Sequence, residues 1–293
     1  MSSRFERNLG FLSSDEQEKL SSSTVAIAGA GGDGGMLAVQ LARLGVGNFR
    51  LADPDDFEEE NINRQAVCTD KTVGVNKAVA VGSYITDINP NAKVEIYSQG
   101  ITKTNVAEFV KGSDLLIDET EFSLHALAVM LAREARSKDV HIPNMTALNI
   151  GFGSIVTTYH PDGATVESRL GFRDTQSIDE IEATEVPLSR WLPYIPPYGD
   201  LAVLDKVAKG EKSAPSIAPG VAIAAGVGAT QAILNLVGSQ NNRKSPVYAP
   251  RAIVFDAMTL DAKIIGYNRS SHYRHLVRMA INNTLKKVPK ASY

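Results

Sequence analysis

One cysteine, Cys68, in 293 residues leaves nothing for an intrachain disulfide and nothing for a cysteine-built zinc cage. The usage fits a reducing compartment. Charge of one sign is missing as well: 30 Lys and Arg stand against 33 Asp and Glu, a formal net of -3. A polyanion-binding face is therefore not favoured, and with it nucleic acid as a partner. The opening MSSRFERNLGFLSSDEQEKL lacks the apolar core of a secretory signal, so a cytoplasmic location is expected. Long hydrophobic runs are absent but for residues 221–237, VAIAAGVGATQAILNLV, which carry Gln231 and Asn235 and are mostly Ala and Gly. That run reads as a buried helix rather than a membrane span. There is no internal repeat.

What is present is an alternation of strands and helices. Strands are expected at Val25–Ala28, Asn48–Ala52, Val94–Tyr97, Leu115–Ile117 and Val140–Ile142. Helices are expected at Gly35–Leu44, Lys77–Ile88 and Ser123–Ser137. This order predicts an α/β fold: a Rossmann-like, doubly wound, mainly parallel sheet. Gly151–Tyr159 alternates like an antiparallel strand, and Ala252–Asp256 with Ala262–Tyr267 reads as a hairpin, so antiparallel strands continue the sheet. Between them, Asp174–Ser216 is rich in Pro and charge and predicts an irregular crossover. Its centre, Trp191–Tyr198, is either a substrate groove or a packed crossover. A basic helix is expected at Tyr273–Lys287. The expected organisation is an N-terminal helical arm over 1–23, a nucleotide-binding half over 24–146, and a substrate, crossover and dimerisation half over 147–293, all in one continuous domain.

The first strand breaks into AIAGAGGDGG, where Gly29, Gly31 and Gly34 satisfy G-x-G-x-x-G and Gly32 adds a further glycine. Glycines let backbone N–H groups approach a phosphate at the positive end of the following helix. Asp53, after the second strand, is placed to accept hydrogen bonds from a ribose. The pattern indicates an adenosine-type nucleotide and does not separate NAD from ATP.

The next segment, LADPDDFEEENINRQ, gathers Asp53, Asp55, Asn61, Arg64 and Gln65, and VGVNKA then offers Lys77 at a helix start. A dinucleotide whose pyrophosphate never reacts needs few cations. Two cations beside a glycine loop suit a triphosphate attacked at its α-phosphorus, where negative charge grows. Taken singly, Lys77 reads as a solvated helix residue and Arg64 as a partner of Glu58–Glu60.

At RFERN, GAGGDGG, LADPDDFEEENINRQ, GVNKA and LLIDETEF the chain resembles the ThiF/MoeB/HesA family, bacterial relatives of the ubiquitin-activating enzymes. The resemblance runs from Arg4 to about Ile142. It implies binding of ATP and magnesium, and adenylation of a carboxylate, often a peptide or ubiquitin-like C-terminus, with release of pyrophosphate. It further implies that Asp53 holds the ribose and that Asn61, Arg64 and Lys77 contact the phosphates. Gln65 completes an Arg-Gln pair. Arg7 matches an arginine that reaches into the partner subunit's ATP site, which implies a homodimer.

Three departures shape what is inherited. The family's Asp-Asn after the fourth strand is here Glu121-Phe122, so Glu121 takes the magnesium register with Asp118 as the competing ligand, and Ala126 stands where an arginine is common. Paired CxxC motifs are missing, so no zinc is expected. No cysteine follows Thr146, where thioester-forming members place their nucleophile, and Cys68 reads as a small packing residue. Capture by an external amine, hydroxyl or carrier is the expectation. His125, His141, His160, His272 and His275 receive no catalytic role. The competing readings are an NAD(P)-dependent oxidoreductase, a catalytically weak scaffold subunit of the same fold, and a tRNA-modifying dehydratase.

Overall fold

The computed structural model describes residues 3–208, 211–238 and 245–266. The expected helix at Tyr273–Lys287, with His272, His275 and Tyr267, lies outside the described residues.

Eight strands form one sheet in the order β3-β2-β1-β4-β5-β6-β7-β8. They are β1 (Thr24–Ala28), β2 (Asn48–Ala52), β3 (Lys93–Tyr97), β4 (Leu115–Asp118), β5 (Asn144–Ile150), β6 (Gly153–Tyr159), β7 (Arg251–Asp256) and β8 (Asp261–Gly266). β1 to β5 pair in parallel, and β6, β7 and β8 continue the sheet antiparallel. The expected α/β class and the antiparallel continuation are both borne out. β5 spans residue 146, so the sheet runs through the expected division unbroken.

Both faces are covered because β1 is apolar on both. Val25 and Ile27 join a core with α2 (Gly32–Leu44), α3 (Lys77–Ile88) and α10 (Ala218–Val237). Ala26 and Ala28, pointing the other way, join one with α4 (Val106–Val110) and α5 (His125–Ala135). α10 is long and apolar enough to cross a membrane by length and composition, yet about two-thirds of it is buried against the protein. Its small residues permit that approach: a Cβ on Gly228 would lie 2.7 Å from the Ala147 Cβ.

Helix ends follow their local signals. Ser13 and Glu16 form a reciprocal capping box at the start of α1 (Ser14–Ser22). α2 ends on Gly45 in the left-handed conformation, φ 95°. Two expectations need correction. Val140–Ile142 is not a strand: the chain leaving α5 turns back on itself, with His141 at φ 53°, and the Ile142 N–H bonds to the Ala135 carbonyl. The fifth strand starts only at Asn144. The crossover is also less irregular than expected, because it carries α7 (Ile178–Glu182), α8 (Leu188–Trp191) and α9 (Leu201–Ala208). Before these, α6 (Val166–Leu170) docks on α5 through Glu167, which is wholly buried between Arg133 and Arg136.

The strand order reverses between β1 and β4. In open α/β sheets the crevice beyond the carboxyl ends of the strands at such a point is where ligands bind.

Candidate functional site

At that crevice meet the glycine loop leaving β1, Asp53 leaving β2 and the 118–124 turn leaving β4. The loop glycines have different causes. A Cβ on Gly29 would meet the Glu119 carbonyl oxygen at 2.3 Å, and one on Gly34 the Gly29 carbonyl oxygen at 1.9 Å. Those two are required by strand–helix packing itself. On Gly31 and Gly32 a Cβ would find ordinary contacts, at 3.6 Å from Gln65 Oε1 and 3.5 Å from Val221. Nothing in the packing of the described residues demands glycine there, so their bareness leaves backbone open to a ligand. Gln65 is buried with Oε1 unpartnered among the described residues.

Asp53 braces the loop. Its Oδ2 accepts the Ala30 N–H at 2.7 Å and its Oδ1 the Asp55 N–H at 2.9 Å. Burial raises its carboxyl above the ordinary range, and the two N–H groups oppose that. Asn61, also buried, closes the turn after β2 by accepting the Glu58 N–H at 3.2 Å.

Both cations are close to the loop. Lys77 is the first residue of α3 and pairs with Asp55 at 3.0 Å, its side chain only 12% exposed. It is set there by Asn76, whose Oδ1 caps α3 through the Val79 N–H and whose Nδ2 reaches the Asp53 and Asp55 carbonyls. Arg64 is half-buried and donates from Nη1 to the Glu60 carbonyl and to Asn63 Oδ1. Its other nitrogens make no hydrogen bond among the described residues, and its charge bears on Asp33 at the loop.

The 118–124 turn holds the two metal candidates in different states. Asp118 is buried, its Oδ1 accepting the Thr120 N–H at 3.1 Å and the Thr120 hydroxyl at 2.7 Å; burial raises its carboxyl. Glu121 is exposed, touched by the Ser123 hydroxyl at 3.4 Å. Among the described residues no three His, Cys, Asp or Glu side chains gather into a metal cage. Two hard carboxylates still suit Mg²⁺, which keeps several waters and takes further oxygens from phosphates.

Arg7 is not brought to this crevice. It sits exposed on a short 3₁₀ turn, Ser3–Asn8, that packs at the far end of α2, where Asn8 Nδ2 reaches the Leu44 carbonyl. Thirteen helical residues separate the two ends, about 20 Å. The remaining candidates pack: Cys68 is buried, and its thiol is pushed up chiefly by that burial. His125 sets Nε2 2.9 Å from the Ile181 carbonyl. Trp191–Tyr198 is a packed crossover, with the Tyr194 and Tyr198 hydroxyls both on Asp256.

Three polar residues with no expected role complete the site. Asp33, in the first turn of α2, has both Asn149 N and Nδ2 donating to its Oδ2, at 3.0 and 2.6 Å. Burial raises its carboxyl to about 6. Glu119 accepts the Ala147 N–H at 2.6 Å and is pushed well above its ordinary range by burial and then by the Asp33 charge. An acid inside a glycine loop was the one available sign, since Asn149 lies 116 residues from Asp33 in the chain.

Over 105 residues the chain is 38% identical to the SAMP-activating enzyme E1 of Haloferax volcanii, covering 36% of this chain and 39% of that protein. Over 148 residues it is 34% identical to the tRNA threonylcarbamoyladenosine dehydratase of Bacillus subtilis, covering 50% and 58%. These matches span well under two-thirds of those relatives. In fold it is similar to E. coli MccB solved with ATP, with a TM-score of 0.66, 19% identity, and coverage of 92% of this chain and 72% of that one. A structure of PaaA gives 0.65, 23%, 91% and 74%. The ThiF family profile matches residues 5–273, nearly the whole sequence, and the chain belongs to the ThiF family.

Proposed function

We propose that this protein uses ATP to adenylate a carboxylate, giving an acyl-adenylate and pyrophosphate. One observation carries the reading: a glycine cradle at the switch point of the sheet with Arg64 and Lys77 on its flank. The curated relatives add support, being an activating enzyme and, at 29% identity over 153 residues, an adenylyltransferase and sulfurtransferase of Zea mays.

The half-reaction needs no protein nucleophile. A carboxylate attacks poorly, so the site must hold it in line with the α-phosphorus and remove its freedom in advance. Backbone N–H groups of the loop and the two side-chain cations offset the charge that builds on the phosphates. Asp53 and Asn61 brace the β2–α3 connection that carries Arg64 and Gln65, and Asp53 would take the ribose. Glu121 and Asp118 would hold Mg²⁺, which when bound neutralises phosphate charge. Arg7 lies too far from its own cradle to serve it, and so would act in the partner's site of a homodimer. Cys68 is buried, so the acyl group passes to an external nucleophile rather than to a local thiol.

The substrate favoured is a peptide or ubiquitin-like C-terminus. A second reading, a modified-tRNA carboxylate, has the Bacillus subtilis relative behind it and the balanced charge of -3 against it. Pyrophosphate–ATP exchange with C-terminal peptides, small acids and modified tRNA tests both. Exchange dependent on a peptide carboxylate is expected. Tight ATP binding with no exchange for any carboxylate would support a scaffold subunit instead.

A further inference from the structure

Asp33 is misplaced for a phosphate site. It occupies the first turn of α2, where backbone N–H groups and the helix dipole favour an anion. A carboxylate there competes with the phosphates for the same partial charge and repels them directly. The fold does not remove it; it redirects it. Both hydrogen bonds that Asp33 accepts among the described residues come from Asn149 on β5, and both fall on Oδ2, leaving the buried Oδ1 without a partner. The charged groups that bear on Asp33 from other elements are Glu119, beyond β4, which opposes it, and Arg64, between β2 and α3, which attracts it.

Asn149 does not act alone. Its Oδ1 accepts the Ser216 hydroxyl at 3.0 Å, and the Ser216 carbonyl accepts Asn63 Nδ2 at 3.1 Å. Asn63 Oδ1 in turn accepts Arg64 Nη1 at 2.9 Å. An unbroken polar chain thus runs from the acid in the loop, through the segment entering α10, to the arginine between β2 and α3. Its links join residues 116, 67 and 153 positions apart, so it exists only in the folded protein.

We propose that Asn149 is a positioning residue: it draws the Asp33 carboxylate out of the phosphate cradle and, through Ser216 and Asn63, ties that restraint to Arg64. This rests on the adenylation reading for the identity of the anion. Removing the Asn149 side-chain amide takes away the shorter of the two hydrogen bonds and leaves Asp33 on the Asn149 backbone N–H alone, which loosens it toward the phosphates, and removing the Asp33 charge makes the restraint unnecessary.

The test is a double-mutant cycle read by calorimetric titration with ATP and Mg²⁺, well above pH 6, where Asp33 is ionised. Asn149→Ala is expected to weaken ATP binding about ten-fold, from the repulsion of one uncompensated charge, and Asp33→Asn in that background to restore it to within about two-fold. The Asp33→Asn single variant completes the cycle as the reference against which that rescue is read. A residue that merely supports the fold would not be rescued by losing a second native side chain. Should Asn149→Ala not fold, Asn149→Ser replaces it in the same cycle. Unchanged ATP affinity in the Asn149 variant, or a loss that Asp33→Asn leaves in place, overturns the proposal. A wild type that binds no ATP overturns the adenylation reading and this proposal with it, which the titration shows before any variant is made.

Discussion

Arg64→Ala is expected to lower carboxylate-dependent pyrophosphate exchange by about 10²–10³-fold, the usual cost of one donor that stabilises charge developing in a transition state. The guanidinium is half-buried beside the loop and held, among the described residues, by Nη1 alone, so on this reading Nε and Nη2 would meet a phosphate. Lys77→Ala should cost at least as much, because it removes a cation and also leaves the Asp55 carboxylate unopposed near the cradle. Lys77→Arg keeps the charge and should recover part of the loss. Melting midpoints separate this from unfolding: neither side chain fills a hydrophobic core. Exchange within about two-fold of the wild type in both alanine variants would mean that neither cation meets the transition state.

Glu167→Ala is expected to destabilise the fold by about 3 kcal/mol, the lower end for a broken buried ion pair. The carboxylate is wholly buried and accepts Arg133 Nε at 2.8 Å and Arg136 Nη2 at 2.6 Å, so its loss leaves two arginines facing each other. The side chains of those arginines are 25% and 22% exposed, so water offsets part of the cost. The pair clamps α6 onto α5, and α5 follows directly from the turn that carries Asp118 and Glu121. Urea unfolding should show a lower midpoint at an unchanged slope. A loss below about 1 kcal/mol, the size of an exposed pair, would mean that the cluster is no more than surface charge.

Much of the nucleotide half was legible because its signals are local. β2 and α3 fall on their expected residues, as the breaker Asn89-Pro90 and the cap at Asn76 dictate. Val140–Ile142 misled for a physical reason: apolar β-branched residues can also seal the end of a helix, which they do here once His141 takes a left-handed backbone. In the crossover, Ser177 and Glu180 form a capping box that marks α7, a signal overridden by the surrounding proline and charge. The Asp33–Asn149–Ser216–Asn63 chain was illegible in principle. Each link depends on the register of β5 against β4 and on how α10 enters the sheet, and no local spacing encodes either.

The two carboxylates proposed for magnesium differ in how free they are. The longer side chain leaves Glu121 in solvent at the lip of the crevice, while the shorter Asp118 is occupied within its own turn. On the proposed adenylation reading, Glu121 would reach a cation among the phosphates more readily than Asp118.

The central claim is that the loop and its two cations grip a nucleoside triphosphate. Calorimetric titration of the wild type, Arg64→Ala and Lys77→Ala with ATP and Mg²⁺, and separately with NADH, tests it most directly. ATP should bind the wild type, its affinity should fall in both variants, and NADH should bind none of them. Binding of NADH in preference to ATP, or ATP affinity indifferent to both substitutions, would contradict it.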